Sequence, residues 1–158
     1  MARPSTLERA SDPVRAFLDS AVEARLEYKR LHRRIEELES RAKKVTAQMT
    51  GMPGGGGAGM EQLWAILADE REKEKEAAET EMRVYHEVER FIDRLPAPVH
   101  RVVCKLHYLD GLNWTQVQIR MNRDGFCYSE RQITRLHGEA LKSARRLWRE
   151  VRENEVRP

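Results

Sequence analysis

The sequence predicts an all-α fold in which two long amphipathic helices precede a unit of shorter ones. Three observations carry the prediction: an apolar seam from Val14 to Met49, a glycine run followed by a second long helical pattern, and two capping boxes beyond Pro98. Composition agrees. Charged residues make up 35% of the chain and aromatic residues 6%, and β-branched runs are few, the balance of a protein with much exposed helix surface. At 158 residues there is room for one domain plus an extension, or for two small domains, and not for a large enzyme core.

Residues 1–12 are polar and expected to be flexible, although Ser5 and Glu8 have the spacing of a capping box. Asp12-Pro13 is the stronger start signal, with Asp at the cap and Pro at the first helical position. From there Val14, Phe17, Ala21, Ala24, Tyr28, Leu31, Ile35, Leu38, Ala42, Val45 and Met49 alternate spacings of three and four, the pattern of a coiled-coil seam. A helix from Pro13 to Met49 would be about 55 Å long and needs a partner along that length. The partner is either the second long helix, folded back as an antiparallel hairpin, or the same seam in another copy. The pattern does not choose between them.

The interruption is the glycine-rich stretch 51–59, expected to be a loop because glycine is permissive enough to reverse the chain. It lacks the Gly-Lys-Ser/Thr ending of a phosphate-binding loop. A second helix is expected from about Met60 to Leu95, with alternating charge and weak packing between Asp69 and Glu76. Pro96 and Pro98 end it, so residues 13–95 are expected to form the coiled coil and residues 96–158 a separate unit.

Within that unit Pro98 opens a helix whose core candidates are Val102, Val103, Leu106 and Tyr108, ending at Asp110-Gly111. Asn113 and Gln116 then form a capping box for a short helix from Trp114 to about Met121, with Trp114, Val117 and Met121 on its apolar side. Ser129 and Gln132 form another, and the helix they open places Ile133, Leu136, Ala140, Ala144, Leu147 and Val151 at core spacing. Two short capped helices joined by a polar turn are the pattern of a helix-turn-helix. Its second helix presents Glu130, Arg131, Gln132, Thr134 and Arg135 in the first two turns, side chains able to reach base edges in a major groove. Arg131 and Arg135 suit guanine, Gln132 adenine and Glu130 cytosine. Lys142, further along, is placed near phosphate, whereas Arg145, Arg146 and Arg149 are read as solvated.

Charge favours this reading over an ordinary helical bundle. Residues 96–158 hold 12 Lys and Arg against 7 Asp and Glu, a net of +5, while residues 1–95 have a net of −2. The excess lies where a phosphate backbone would need it. Other chemistry finds little support. Cys104 and Cys127 are not spaced as CxxC, and the five histidines never occur as HxxxH, so neither a metal centre nor a disulfide framework is expected. Asp110 and Asp124 are lone carboxylates in turns, and no nucleophile–base pair stands out, so no enzyme and no cofactor are expected. No apolar run approaches membrane-spanning length and the N-terminus lacks a signal-peptide core, which points to a cytoplasmic protein.

The run Leu106-His107-Tyr108-Leu109-Asp110-Gly111-Leu112-Asn113-Trp114, followed by Tyr128-Ser129-Glu130-Arg131-Gln132-Ile133-Thr134-Arg135-Leu136, resembles the sigma-factor region-four type of helix-turn-helix. More narrowly, it is similar to small phage and prophage regulators of the RinA and ArpU kind. Lys44-Val45-Thr46 with Met52-Pro53 and the glycines beyond is similar to a signature of a related phage family, so the likeness runs from about Arg41 onward. The resemblance implies a regulator of phage late or packaging genes that binds promoter DNA in a bacterial host cell; the sequence leaves open whether RNA polymerase is a further partner. It places Glu130, Arg131, Gln132 and Arg135 on bases, Ser129 and Thr134 nearer phosphate, and Asn113 with Trp114 against the backbone. Thr115, on the polar side of the same helix, joins that backbone set. One departure is the longer turn Arg123-Asp124-Gly125-Phe126-Cys127, which can tilt the second helix or add a phosphate contact through Arg123. The competing expectation is a DNA-packaging adaptor of the small-terminase kind, or a coiled-coil assembly protein with little sequence preference.

Overall fold

The computed structural model describes residues 12–49 and 57–156, of which 89% are helical with no strand among them, so the class is all-α. Five helices follow in order: α1 (Pro13–Met49), α2 (Gly57–Asp93), α3 (Pro98–Cys104), α4 (Trp114–Arg123) and α5 (Glu130–Val156). The expectations for residues 1–11 and for the loop residues 51–56 lie outside the described residues.

Asp12 starts α1 as its sequence signal requires: the Asp12 carboxylate accepts the Val14 N–H at 3.1 Å. The start of α2 differs from expectation. Gly57, Ala58 and Gly59 are helical rather than part of the loop, so the expected loop 51–59 is too long by three residues. First-turn amides have no intrahelical partner to lose, and glycine there costs only the usual propensity difference. At the other end α2 stops at Asp93, and the Arg101 guanidinium bonds to the Leu95 and Pro96 carbonyls in the link to α3. After Cys104, α3 widens into a π-helical segment, Lys105–Leu109, closed by the Asp110 N–H on the Lys105 carbonyl at 3.0 Å. Gly111 then turns the chain at φ 70°.

The compact units do not divide at Leu95, as the prolines suggest, but within the long helices. One unit takes the chain up to Val22 and from Val84 onward; the other is Glu23–Arg83. The reason is an apolar cluster that sequence periodicity does not reveal. Val14, Leu18 and Ala21 of α1 pack with Val88, Phe91, Ile92 and Leu95, and with Tyr108, Leu109, Ala140, Leu141 and Ala144. The expected seam omits Leu18, which is 1% exposed, and includes Val45, which is exposed. A second cluster in the same unit joins Val103, Leu106, Val117, Met121, Ile133 and Leu136, with Trp114, Phe126 and Tyr128 at its edge. It packs α3 and α4 against α5.

In the Glu23–Arg83 unit, Ile35 and Leu38 of α1 pack on Leu67 and Leu63 of α2. Ion pairs flank that seam: Arg25 with Glu81 at 3.5 Å, His32 with Glu74 at 2.6 Å and Glu39 with Arg71 at 2.8 Å. In these three pairs residue numbers rise along α1 as they fall along α2. The Asp69–Glu76 stretch is largely exposed, and so are Trp64 (50%) and Ile66 (45%).

Candidate nucleic-acid interface

Two reciprocal caps set the directions of α4 and α5. Asn113 Oδ1 accepts the Gln116 N–H at 2.9 Å while Gln116 Oε1 accepts the Asn113 N–H at 3.0 Å. Ser129 Oγ accepts the Gln132 N–H at 3.2 Å, and Gln132 Oε1 accepts the Ser129 N–H at 2.8 Å. Both boxes are those expected from sequence. Each satisfies amides that a helix start leaves without intrahelical partners, and substituting such a cap by alanine costs roughly 1 kcal/mol.

The turn between them is longer than a tight helix-turn-helix turn, yet it is internally braced. α4 runs two residues past Met121, to Arg123, so part of the extra length is helix. Gly125 takes φ 96°, a conformation open to glycine and strained for other residues. The Phe126 N–H bonds the Met121 carbonyl at 2.9 Å, Asn122 Oδ1 accepts the Tyr128 N–H at 3.1 Å, and Gln118 Nε2 donates to the Tyr128 carbonyl at 3.3 Å. Phe126 stacks on Tyr128 at 6.2 Å and both rings pack on the second apolar cluster.

Along α5, Ile133, Leu136, His137, Ala140, Leu141 and Ala144 are buried, and Glu130, Arg131, Gln132, Thr134, Arg135 and Lys142 are exposed. At about 3.6 residues per turn, Arg131, Arg135 and Lys142 fall on one stripe. Arg131 and Lys142 make no side-chain hydrogen bond or ion pair among the described residues, and the same is true of Arg123 in the turn. Arg135 lies 3.8 Å from Glu139, which is also 3.5 Å from His100. Between Arg135 and Lys142 on the same stripe sits Gly138, and a Cβ there would meet nothing within 4 Å. A mid-helix glycine costs roughly 1 kcal/mol relative to alanine, and no contact inside the molecule requires this one.

Some expected contact groups are already engaged. Gln132 uses its amide oxygen on the Ser129 N–H, whereas bidentate adenine recognition needs both the oxygen and the NH₂. Thr134 Oγ1 donates to the Glu130 carbonyl at 3.0 Å, within its own helix. Trp114 stacks on His107 at 4.0 Å and packs on the second cluster, so its ring serves the fold first. Thr115 is exposed on the outer side of α4. Arg145, read from sequence as solvated, instead places its Nε and Nη2 3.0 and 2.8 Å from Asp12 Oδ2. Those residues are 133 positions apart, and no local pattern signals the pair.

Behind this face the ring residues His107, Tyr108, Trp114 and His137 form a compact group, with Trp114 and His137 centroids 4.5 Å apart. His107 Nδ1 bonds the Leu112 carbonyl at 2.8 Å. Burial lowers the pKa of both imidazoles, that of His137 to about 3, so the group is uncharged at neutral pH. Its stacked rings form a wall behind the start of α4.

Among the described residues, no cluster of His, Cys, Asp and Glu is arranged to hold a metal ion, and no helix is long and apolar enough to cross a membrane. What the exposed face offers is cationic and hydrogen-bonding: the guanidinium groups of Arg131 and Arg135 on the first two turns of a helix whose N-terminal dipole also favours anions, and the Lys142 ammonium on the fourth. Comparison with protein-family models, curated proteins and solved structures gives no match.

Proposed function

We propose that this chain binds duplex DNA with sequence preference and regulates transcription, using α4 and α5 as a helix-turn-helix whose second helix enters the major groove. The observation that carries the reading is the exposed stripe Arg131, Arg135 and Lys142, interrupted only by Gly138, on the basic part of the chain. Glycine at that point lets a phosphate backbone or base edge approach the helix closely, and Arg131 and Lys142 on the same stripe have no ion pair among the described residues. Arg131 and Arg135 read guanine, Glu130 accepts from cytosine, and Gln132 reaches adenine on surrendering its cap. Ser129, Thr134, Asn113, Trp114, Thr115, Arg123 and Lys142 form the surrounding phosphate-side set.

In this proposal the two long helices form an antiparallel coiled-coil hairpin, and a second copy or RNA polymerase binds through that part of the chain. The resemblance to phage and prophage regulators supports a role at late or packaging promoters in the cytoplasm of a bacterial host. Selection of genomic DNA fragments on the protein, followed by footprinting at a stated salt concentration, tests the reading. A defined motif is expected, and Arg131→Ala should weaken it by roughly 1–3 kcal/mol and relax preference at one base pair. Equal affinity for all duplexes would remove the regulator.

The exposed Trp64, Ile66 and Val45 favour a second reading, in which self-association is the principal activity and DNA is bound with little preference, as in a packaging adaptor. Light scattering separates the two: a ring-sized oligomer with no selected motif supports the adaptor, and a monomer or dimer with a motif supports the regulator.

A further inference from the structure

The unit formed by the ends of the long helices and α3–α5 has an open cleft of about 350 Å³, lined by none of the residues of the stripe just described. Its floor is three aromatic rings in mutual contact. Phe17 meets Phe91 edge-on at 5.4 Å, Phe17 lies 5.1 Å from Trp148, and Phe91 meets Trp148 edge-on at 5.7 Å. The Trp148 N–H is enclosed and without an acceptor, so the cleft is offered the carbon surface of the indole and not its donor.

Three arginines rim this floor: Arg90 on α2, Arg94 just past its end, and Arg152 on α5. Arg152 stands 5.5 Å from the Trp148 ring centroid, a cation–π distance that leaves its N–H groups free for another acceptor. Two carboxylates beside them on α2 are drawn elsewhere: Asp93 pairs with Lys105 at 2.6 Å and Glu89 with His86 at 3.5 Å. Arg90 and Arg94 make no ion pair among the described residues. Glu87 and Glu155 also line the cleft, so three guanidiniums stand with two carboxylates. Aromatic and arginine side chains packed together in a concave site are the composition of protein-binding hot spots.

We infer that this cleft docks an acidic segment of a partner protein, with one large apolar side chain seated on Phe17, Phe91 and Trp148 and flanking carboxylates on Arg90, Arg94 and Arg152. The volume is at the lower end for a small-molecule pocket and suits a single anchoring side chain. The cations stand around the rim on α5 and at the end of α2, as carboxylates flanking an anchor require. A phosphate backbone has no apolar side chain to seat on the aromatic floor, and a protein segment does. Trp148 follows Lys142, the near end of the stripe, by six residues, about 9 Å along α5 and about 120° around it, and follows Arg131 by 17 residues, about 25 Å, so a partner here leaves Arg131 and Arg135 open. The inference therefore stands independently of DNA binding.

Selection of a random peptide display library on the full chain tests it, followed by fluorescence anisotropy with the enriched peptides. Enriched sequences should combine Phe, Trp or Leu with Asp or Glu. Their affinity should fall at least tenfold for the double variant Arg94→Glu/Arg152→Glu, with helix content by circular dichroism unchanged, and should be indifferent to Arg131→Ala. Three results overturn the inference: no enrichment, enrichment of peptides without acidic residues, or undiminished binding to the double variant. Anionic phosphatidylglycerol vesicles form a second arm, and vesicle binding that depends on Arg94 and Arg152 without any peptide binding would reassign the surface to lipid.

Discussion

The Tyr108 hydroxyl and His137 Nε2 are 2.7 Å apart in a buried site shared by the π-helical segment after α3 and the second turn of α5. Burial pushes the phenol pKa up and the imidazole down, so the pair is assigned with the phenol O–H donating to a neutral ring. Loss of that neutrality is costly because the charged ring has nowhere to find water.

Acid should therefore weaken the unit containing α3–α5 before carboxylates begin to titrate. The folded pKa of His137 is about 3 against an ordinary 6.5, lowered by burial first and then by the nearby His107, Arg15 and Arg145 charges. The unfolded chain takes up the proton first as pH falls, so stability is complete above about 6.5 and drains away down to about 3. His107 is shifted in the same direction. His32, raised by its hydrogen bond to Glu74, has the opposite sign, but it is exposed and adds little. Urea melts followed by tryptophan emission should lose on the order of 2 kcal/mol between pH 6.5 and 5, and His137→Gln should flatten that interval. Parallel melts of the two proteins across this range would contradict the assignment.

Replacing Tyr108 by Phe leaves His137 Nε2 buried without a partner, which costs about 1–3 kcal/mol. The double change Tyr108→Phe/His137→Leu removes both polar groups and should destabilise by less than the sum of the two single changes. Chemical denaturation of the four proteins gives the coupling directly. Additive effects would mean that the 2.7 Å contact contributes nothing specific.

What was legible in the sequence is what is encoded within a few residues. The caps at Asn113–Gln116 and Ser129–Gln132 and the buried row Ile133, Leu136, Ala140 and Ala144 follow from hydrogen-bond chemistry and helical period alone. The exposure of Arg131, Arg135 and Lys142 follows from the same period. Leu18, Phe91 and Trp148 were not legible, because their roles come from residues far away in sequence that meet in one cluster. The prolines at 96 and 98 mark a helix end correctly, yet the compact unit reaches back across them to Val84 and Val14, since chain breaks and packing boundaries answer to different forces. Gly57–Gly59 were read as loop because a glycine run has no local helix preference, and only the continuation into Met60–Leu67 carries it into α2. The partnership of His137 with Tyr108, 29 positions earlier, has no sequence signature.

Gly138 offers a test of whether the exposed side of α5 is an interface. Gly138→Ala should stabilise the free protein by about 0.5–1 kcal/mol, since the backbone there is helical and a Cβ meets nothing. If the stripe lies against DNA, the bulkier Gly138→Leu should keep that thermal stability while weakening duplex binding at least tenfold. Unchanged binding by Gly138→Leu would place the DNA elsewhere.

Glu139 is the one carboxylate beside the stripe that restrains it, lying 3.8 Å from Arg135 and 3.5 Å from His100. Both pairs are long and Glu139 itself is 49% exposed, so loss of the exposed Arg135 pair should cost the fold less than about 0.5 kcal/mol. For a phosphate or a guanine the consequences are larger. The carboxylate repels the approaching anion and competes for Arg135, and neutralising it removes both effects at once. Glu139→Gln should therefore bind duplex DNA two- to fivefold more tightly at low salt, an advantage that shrinks as screening increases. Arg135→Ala in the same background should erase the gain, because the benefit acts through the freed guanidinium. Anisotropy titrations of labelled duplex at two salt concentrations measure all three proteins, and weaker binding by Glu139→Gln would mean that Arg135 needs its carboxylate partner to be correctly aimed.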